Sequence, residues 1–337
     1  MGKLNNLSMQ SLKKAGSLVG TIFLLLIFLV CFEIYVPANP GSHETITFTV
    51  QKGWGDDEIA LNLQEMGIIK SPWFFKLYVV LSLKHSMLQA GDYSVSPKMS
   101  IHQIASNMAQ GNVIRDELVI LEGWNKNNIA KYLEFEGICA KDYFLFLLKE
   151  DYSNEFDFLK DKPKNIDLDG YLFPDTYEIG KGATCEDVLE NMLSNFGRKL
   201  TLKMRQDIAS QKKSIFDIVT MASLIEKEVR GISDKKIVSG ILWKRISIDM
   251  PLQVDATIVY VTGKTPVSYA DLKINSPYNT YKYYGLPKGP ISNPGMDSIT
   301  AAIHPTKTNY WYYLSDGITH FSSTLEEHNI AKAKYLD

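Results

Sequence analysis

The chain has 337 residues, a formal net charge of -2 and 45% hydrophobic residues, enough apolar material to bury a core. The near-neutral charge excludes the electrostatic footprint of a nucleic-acid-binding protein. Cys-x-x-Cys, His-Glu-x-x-His and related zinc spacings are missing, so the six histidines carry no metal signal.

The first element is the run from Leu18 to Val36 (LVGTIFLLLIFLVCFEIYV), close to the roughly 20 apolar residues of a bilayer-spanning helix. Lys3, Lys13 and Lys14 precede it, and no Lys or Arg follows until Lys52. By the positive-inside rule the N-terminus stays in the cytoplasm and everything after Pro37 faces the other side. A cleaved signal peptide is the competing expectation, against which stand the length of the run and the proline near its end. Cys31 lies within the run. Cys139 and Cys185 lie outside it, too few for a disulfide framework, and leave one bridge open without requiring it.

Beyond the span the chain repeats itself. Gly53-Trp54, Ile59-Ala60, Leu63 and Gly67-Ile68 recur at identical spacing as Gly123-Trp124, Ile129-Ala130, Leu133 and Gly137-Ile138. Each copy opens with a strand-like run, Ile46 to Val50 and then Leu118 to Leu121, followed by a Gly-Trp turn and a helix. Gly67 and Gly137 are placed to end those helices. Between the copies, Asp92-Tyr93-Ser94-Val95 reads as a strand and Ile101 to Ala109 as a helix, with Ser100 as N-cap and Gly111 as stop. Thr45 to about Val113 thereby resembles a small β-α-α-β module of the LysM type, and a packing domain without a ligand fits the same pattern.

Asp169 to Tyr177 is turn-rich and aromatic, and Cys185 to Phe196 reads as a helix. Ser214 is placed to cap a longer helix reaching about Val229, with Ile215, Ile218, Val219, Ala222, Ile225 and Val229 in one apolar stripe. At about 100° per residue Glu226 falls on the flank of that stripe, whereas Glu228 lies about 200° away and is expected to face outward. A carboxyl group in an apolar surface loses solvation of its charged form, which suits it to donate a proton, as cleavage of a glycosidic bond requires. A glutamate that merely edges the stripe and pairs with Lys227 or Arg230 has the same periodicity.

Two clusters follow. Leu252-Gln253-Val254-Asp255-Ala256-Thr257 precedes a long Gly-, Pro-, Asn- and Tyr-rich loop through Ser276-Pro277-Tyr278-Asn279-Thr280-Tyr281 to Asn293-Pro294-Gly295. Gly263-Lys264-Thr265 has the tail of a phosphate loop, but Ile258 stands where its leading glycine belongs. Tyrosine faces stack on sugar rings, and Asn and Gln amides bond hydroxyl and N-acetyl groups; an ordered surface loop whose tyrosines only pack is equally compatible. Tyr310 to Gly317 and His320-Phe321 read as a hairpin with Asp316-Gly317 near its turn, then a helix. His304, His320 and His328 either line a site or are structural.

The ordered motifs Glu122-Gly123-Trp124, Gly170-Tyr171-Leu172-Phe173-Pro174-Asp175-Thr176-Tyr177, Ala222 to Glu228, Leu252-Gln253-x-Asp255, Tyr278-Asn279-Thr280-Tyr281, Gly285-Leu286-Pro287-x-Gly289-Pro290-Ile291 and His328-Asn329 together resemble the endolytic murein transglycosylase (YceG-like) family over nearly the whole chain. The resemblance implies cleavage between N-acetylmuramic acid and N-acetylglucosamine in nascent glycan strands, leaving 1,6-anhydro ends and so terminating elongation. Its catalytic glutamate matches Glu226. It also implies no cofactor and work beside the wall-synthesis machinery of the bacterial cytoplasmic membrane. Departures are Asp255-Ala256-Thr257, where the family commonly has Asp-Pro-Thr, and Lys244-Arg245-Ile246, where it has Asn-Arg-Leu.

The sequence thus predicts an α+β protein: a cytoplasmic tail (1–17), one transmembrane helix (18–36), a LysM-like module (37–115) and a catalytic region (116–337). Glu226 is the candidate acid/base; Gln253, Asp255, Tyr278, Asn279, Tyr281 and Asn293 are groove candidates; no metal or nucleic acid is expected. A muramidase-type hydrolase using Asp255 or Glu228 as second carboxylate, and a non-catalytic peptidoglycan-binding scaffold, are the alternatives.

Overall fold

The computed structural model describes residues 2–42, 44–180 and 182–336, with side chains from residue 18 onward. It is a mixed α+β protein whose sheets are all two-stranded ladders among the described residues, and it divides into two compact units, residues 1–116 with 179–181 and residues 117–178 with 182–337.

The first unit begins with helix α1 (Gly2–Tyr35), whose stretch Leu18–Tyr35 is long and apolar enough to cross a membrane. Most of that stretch is exposed, but Ile34 is buried and Val30 packs on the same core, so the end of α1 is built into the unit. Strand β1 (Ile46–Val50), helices α2 (Asp56–Glu65) and α3 (Pro72–Leu81), strand β2 (Gly91–Val95) and helix α4 (Ile101–Gln110) complete it. β1 and β2 pair antiparallel, with Ile46 opposite Val95 and Val50 opposite Gly91. Phe48, Val50, Ile59, Leu63, Phe75, Val79, Tyr93, Ile104 and Met108 close one core. The β-α-α-β order is present. Ser100 caps α4 by accepting from the Gln103 N–H at 3.2 Å, and Gly111 ends it in the left-handed conformation.

Strand β3 (Arg115–Val119) starts three residues before the expected run and pairs with β4 (Thr176–Gly180). Between them lie α5 (Lys126–Phe135) and α6 (Lys141–Leu147). The repeat seen in the sequence recurs in the hydrogen bonds. Trp54 and Trp124 donate their N–H groups to Gln51 and Leu121, both at 3.2 Å, while Ile68 and Ile138 donate to Leu63 and Leu133. Gly53 and Gly123 both hold positive φ, which turns the chain sharply into each helix.

The second unit continues with α7 (Cys185–Lys199), α8 (Leu202–Ser210), α9 (Ile215–Glu228), α10 (Ile232–Ile246), α11 (Asp255–Thr262), α12 (Met296–Ile303), the antiparallel hairpin β5 (Tyr312–Ser315) and β6 (Thr319–Ser322), and α13 (Leu325–Tyr335). A reciprocal capping box starts α9: the Ser214 N–H donates to the Asp217 carboxylate at 3.0 Å, and the Asp217 N–H donates to the Ser214 hydroxyl at 2.9 Å. The helix is almost wholly enclosed from Ile218 to Ile225, packed on α12, α10 and α11. Cys139, just before α6, and Cys185, at the start of α7, form a disulfide.

Candidate active site

Glu226 leaves the last turn of α9 with its side chain only 8% exposed. Its surroundings correct the expectation of an apolar pocket. Lys235, on the first turn of α10 and 3% exposed, places Nζ 3.1 Å from Oε1 and 3.2 Å from Oε2. The Gly295 N–H donates to Oε2 at 3.0 Å and the Ser298 hydroxyl at 2.6 Å. Gly295 is the N-cap of α12, so the carboxylate lies at a helix N-terminus, where unpaired N–H groups and the helix dipole favour negative charge. Every one of these partners is a donor. The site is shaped for a carboxylate, held by donors from two elements, α10 and the start of α12.

Glu226 lines a cleft of about 670 Å³ together with Glu122, Glu228, Arg230, Asp234 and the hairpin residues Ser315 and Thr319. Residues 291–293 are laid along α9: the Ile291 N–H donates to the Ser223 hydroxyl, and the Ser292 hydroxyl donates to the Ser223 carbonyl. The second Gly-Trp turn is clamped to that segment in turn. The Gly123 N–H donates to Asn293 O at 2.9 Å and the Asn293 N–H to Trp124 O at 2.7 Å. This clamp carries Glu122 to the cleft. A Cβ at Gly295 would stand 1.9 Å from Glu122 Oε1, so only glycine lets that carboxylate reach the N-cap of α12. Desolvation, and the negative charges of Glu226 and Asp297, hold the Glu122 carboxyl above the usual carboxylate range, while Lys235 pulls the other way.

Glu228 departs from the helical-wheel expectation. It is half-buried rather than outward, because Tyr313 on β5, Asp255 on α11 and Arg245 on α10 surround it. Burial pushes its carboxyl up to about 7, against the hydrogen bond from Tyr313. Arg245 is itself buried and donates to Trp311 O at 2.6 Å and Leu252 O at 2.8 Å. One guanidinium thereby ties the hairpin to the turn before α11.

The groove candidates separate into two groups. Gln253 and Asp255 are exposed; Gln253 adopts a φ of +53°, uncommon for a residue with a side chain, and its N–H is held by Thr280 O. Asp255 accepts a hydrogen bond from Tyr281, so these two stand together on the Glu228 side. Tyr278 is half-buried with its ring 5.0 Å from that of Tyr260. Asn279 and Asn293 point inward, contrary to a role in offering amides to sugar. Asn279 donates to Leu272 O and Ile274 O and accepts from the Tyr281 N–H. Asn293, fully buried, accepts from the N–H groups of Gly170 and Leu172 and donates to Trp124 O and Asp169. It is the staple of the Gly170-Tyr171-Leu172 motif. Asp169 is also fully enclosed, and burial, then the Asp167 charge, push its carboxyl up to about 7. The histidines do not converge: His304 lies near Asp207, His320 stacks on Tyr335 and His328 on Tyr312.

Sequence reasoning passed over Lys235, Ser298 and the carboxylate of Glu122. Lys235 is one of two adjacent lysines in an ordinary-looking helix start, and Ser298 one small residue in an apolar segment. Only the Glu122-Gly123-Trp124 motif, at the same place as the first Gly-Trp turn, hinted that this turn had work beyond packing.

Residues 48–334 match the YceG-like family. The chain belongs to that family. It is 34% identical over 325 residues to the endolytic murein transglycosylase of Bacillus subtilis, covering 92% of this chain and 90% of that one. A Streptococcus pneumoniae protein of the same name is 28% identical over 334 residues, which cover 90% of this chain and 60% of the relative. The crystal structure of a YceG-like protein of Listeria monocytogenes superposes with a TM-score of 0.60 at 34% identity, over 86% of this chain and 99% of the other.

Proposed function

We propose that this protein is a peptidoglycan lytic transglycosylase that cleaves glycan strands between N-acetylmuramic acid and N-acetylglucosamine, with Glu226 as its catalytic carboxylate. The observation that carries this is the setting of Glu226: a buried carboxylate, fixed by Lys235, Gly295 and Ser298, facing a cleft large enough for sugar rings, in a chain whose relatives are named endolytic murein transglycosylases.

The chemistry follows from the substrate. A carboxyl of the cleft gives its proton to the bridging oxygen as the bond to the muramyl anomeric carbon breaks, and the C6 hydroxyl of the same sugar attacks that carbon. The new O6–C1 bond closes the 1,6-anhydro ring, and Glu226 takes the hydroxyl proton. Because the nucleophile belongs to the substrate, the second carboxylate that hydrolytic glycosidases use as nucleophile or water-activating base is not needed for attack. Gln253, Asp255, Tyr278 and Tyr281 are proposed to contact glycan at the far end of the groove. Asn279 and Asn293 are proposed to act only by shaping it.

α1 is proposed to anchor the protein by a single pass in the bacterial cytoplasmic membrane, N-terminus inside, with the LysM-like module and the catalytic region outside beside the wall-synthesis machinery. Two observations favour this: lysines precede the apolar stretch, and the Cys139–Cys185 bond is of a kind that persists in oxidising compartments. Incubating the protein with uncross-linked glycan strands and weighing the products tests the reaction class. Anhydro-muramyl ends are expected; reducing ends in their place would overturn the assignment in favour of a hydrolase.

A further inference from the structure

The hydrogen-bond partners of Glu226 are all donors, one ammonium, one backbone N–H and one hydroxyl. That arrangement suits a group that receives a proton. It leaves open where the proton for the leaving oxygen resides before the reaction starts.

The second carboxyl of the same wall answers this. Glu122 lines the cleft with Glu226, and the two meet at Gly295: the N–H of that residue binds Glu226, while its bare Cα gives room to the Glu122 oxygens. The turn that follows Glu122 runs beside Glu226 as well, since a Cβ added at Gly123 would come within 3.6 Å of Glu226 Cγ. Lys227 reaches back to Gly123 O at 3.3 Å, and the 123–124 turn is locked to Asn293 by its backbone ladder. Glu122 is therefore the end of a rigid turn, aimed at the reacting carboxylate.

We propose that Glu122 is the second catalytic carboxyl of this site, carrying the proton that the bridging glycosidic oxygen receives, while Glu226 accepts the proton of the C6 hydroxyl. This rests on the transglycosylase reading of the site. Glu122 gives its proton to the oxygen as the C1–O bond breaks; O6 bonds to C1; the O6 proton passes to Glu226. Transfer of one proton from Glu226 back to Glu122 restores the resting pair, so nothing but substrate is consumed. Neighbouring charges support the division. Glu226 and Lys227 on α9, Asp234 and Lys235 on α10, and Asp297 on α12 face this corner. Lys235 is bonded to Glu226, whereas desolvation, Glu226 and Asp297 all favour the protonated form of Glu122. Of two carboxyls at one corner, the one whose surroundings favour its protonated form takes the acid role and the one held by donors takes the base role.

The test uses the full chain in detergent, with uncross-linked glycan strands, and follows anhydro-end formation against pH for wild type, Glu122→Gln, Glu122→Asp and Glu226→Gln. An acid is required protonated, so wild-type activity falls as pH rises through the Glu122 value. Glu122→Gln is expected to lower kcat by about 10²–10⁴-fold with that alkaline limb gone, and Glu122→Asp to restore part of the rate with the limb present and displaced. Melting curves for each variant separate lost folding from lost chemistry, and Glu122→Asp keeps the idea testable if Gln disturbs the turn. Glu122→Gln within threefold of wild type, or a weaker enzyme with an unchanged pH profile, overturns the proposal. If Glu226→Gln is equally active, the reading of the whole site has failed; if only Glu226→Gln is inactive, the failure is confined to Glu122.

Discussion

Replacing Asn293 by alanine tests whether this loop residue is a staple or a ligand for sugar. The substitution removes the acceptor of the Gly170 N–H at 2.7 Å and of the Leu172 N–H at 2.9 Å, and the donor to Trp124 O and Asp169. Gly170 and Leu172 are buried, so both amides lose their partner away from solvent. An orphaned buried donor costs roughly 1–3 kcal/mol, which gives about 2–6 kcal/mol for the pair. A water admitted into the vacated space offsets some of this, leaving about 2–4 kcal/mol. In a unit of about 200 residues each kcal/mol moves the midpoint by about 2–4 °C, so a fall of roughly 5–15 °C is expected. Thermal unfolding of wild type and variant, followed by near-ultraviolet circular dichroism, reads it directly. A loss below about 1 kcal/mol would refute the reasoning, because the amide would then be free to serve the cleft.

Three further outcomes follow from the same contacts. Glu228 has an ordinary value of 4.5 and is raised to about 7 in the fold, so between those pH values the folded chain keeps a proton that the unfolded chain has released, and stability falls as pH rises. Glu228→Gln is therefore expected to gain on wild type by roughly 2–3 kcal/mol across that window, read from denaturant midpoints at a series of pH values; a difference independent of pH would contradict it. Lys235→Met leaves a buried carboxylate without its cation, and a loss of about 3–5 kcal/mol, with activity down at least about tenfold, is expected from unfolding and turnover assays; a variant as stable and active as wild type would show that the pair is incidental. The Cys139–Cys185 bond spans 46 residues, so its reduction is expected to cost about 4 kcal/mol on the chain-entropy account, visible as a lower midpoint with reductant and absent in a Cys139→Ala, Cys185→Ala double variant.

What was legible in the sequence was what is local. Ser100 and Ser214 announce α4 and α9 because an N-cap hydroxyl acts within three residues, and the Gly-Trp repeat reproduces its hydrogen bonds because both copies fold by the same short-range contacts. Asp316-Gly317 marks the hairpin for the same reason. Glu226 itself was within reach of the helical wheel, although its surroundings were not. Lys235 and Ser298 come from α10 and α12, and no periodicity within α9 encodes which side chains those helices present. Glu228 shows the limit of the wheel most plainly. An outward face exists only if one side of a helix is free, and α9 is enclosed on both, by α10 and α12 and by α11 with the Arg245-tied hairpin. The asparagines failed in the opposite sense. Composition marked Asn279 and Asn293 as polar loop residues available to a ligand, whereas an irregular buried loop needs amides to pair its own backbone.

The central claim is that Glu226 carries out the chemistry of strand cleavage. Wild type and Glu226→Gln, matched in melting behaviour, are incubated with uncross-linked glycan strands, and anhydro-muramyl ends are counted by mass. The account predicts anhydro ends from wild type and, from Glu226→Gln, none above the uncatalysed background; equal yields from both proteins would remove Glu226 from the mechanism and contradict it.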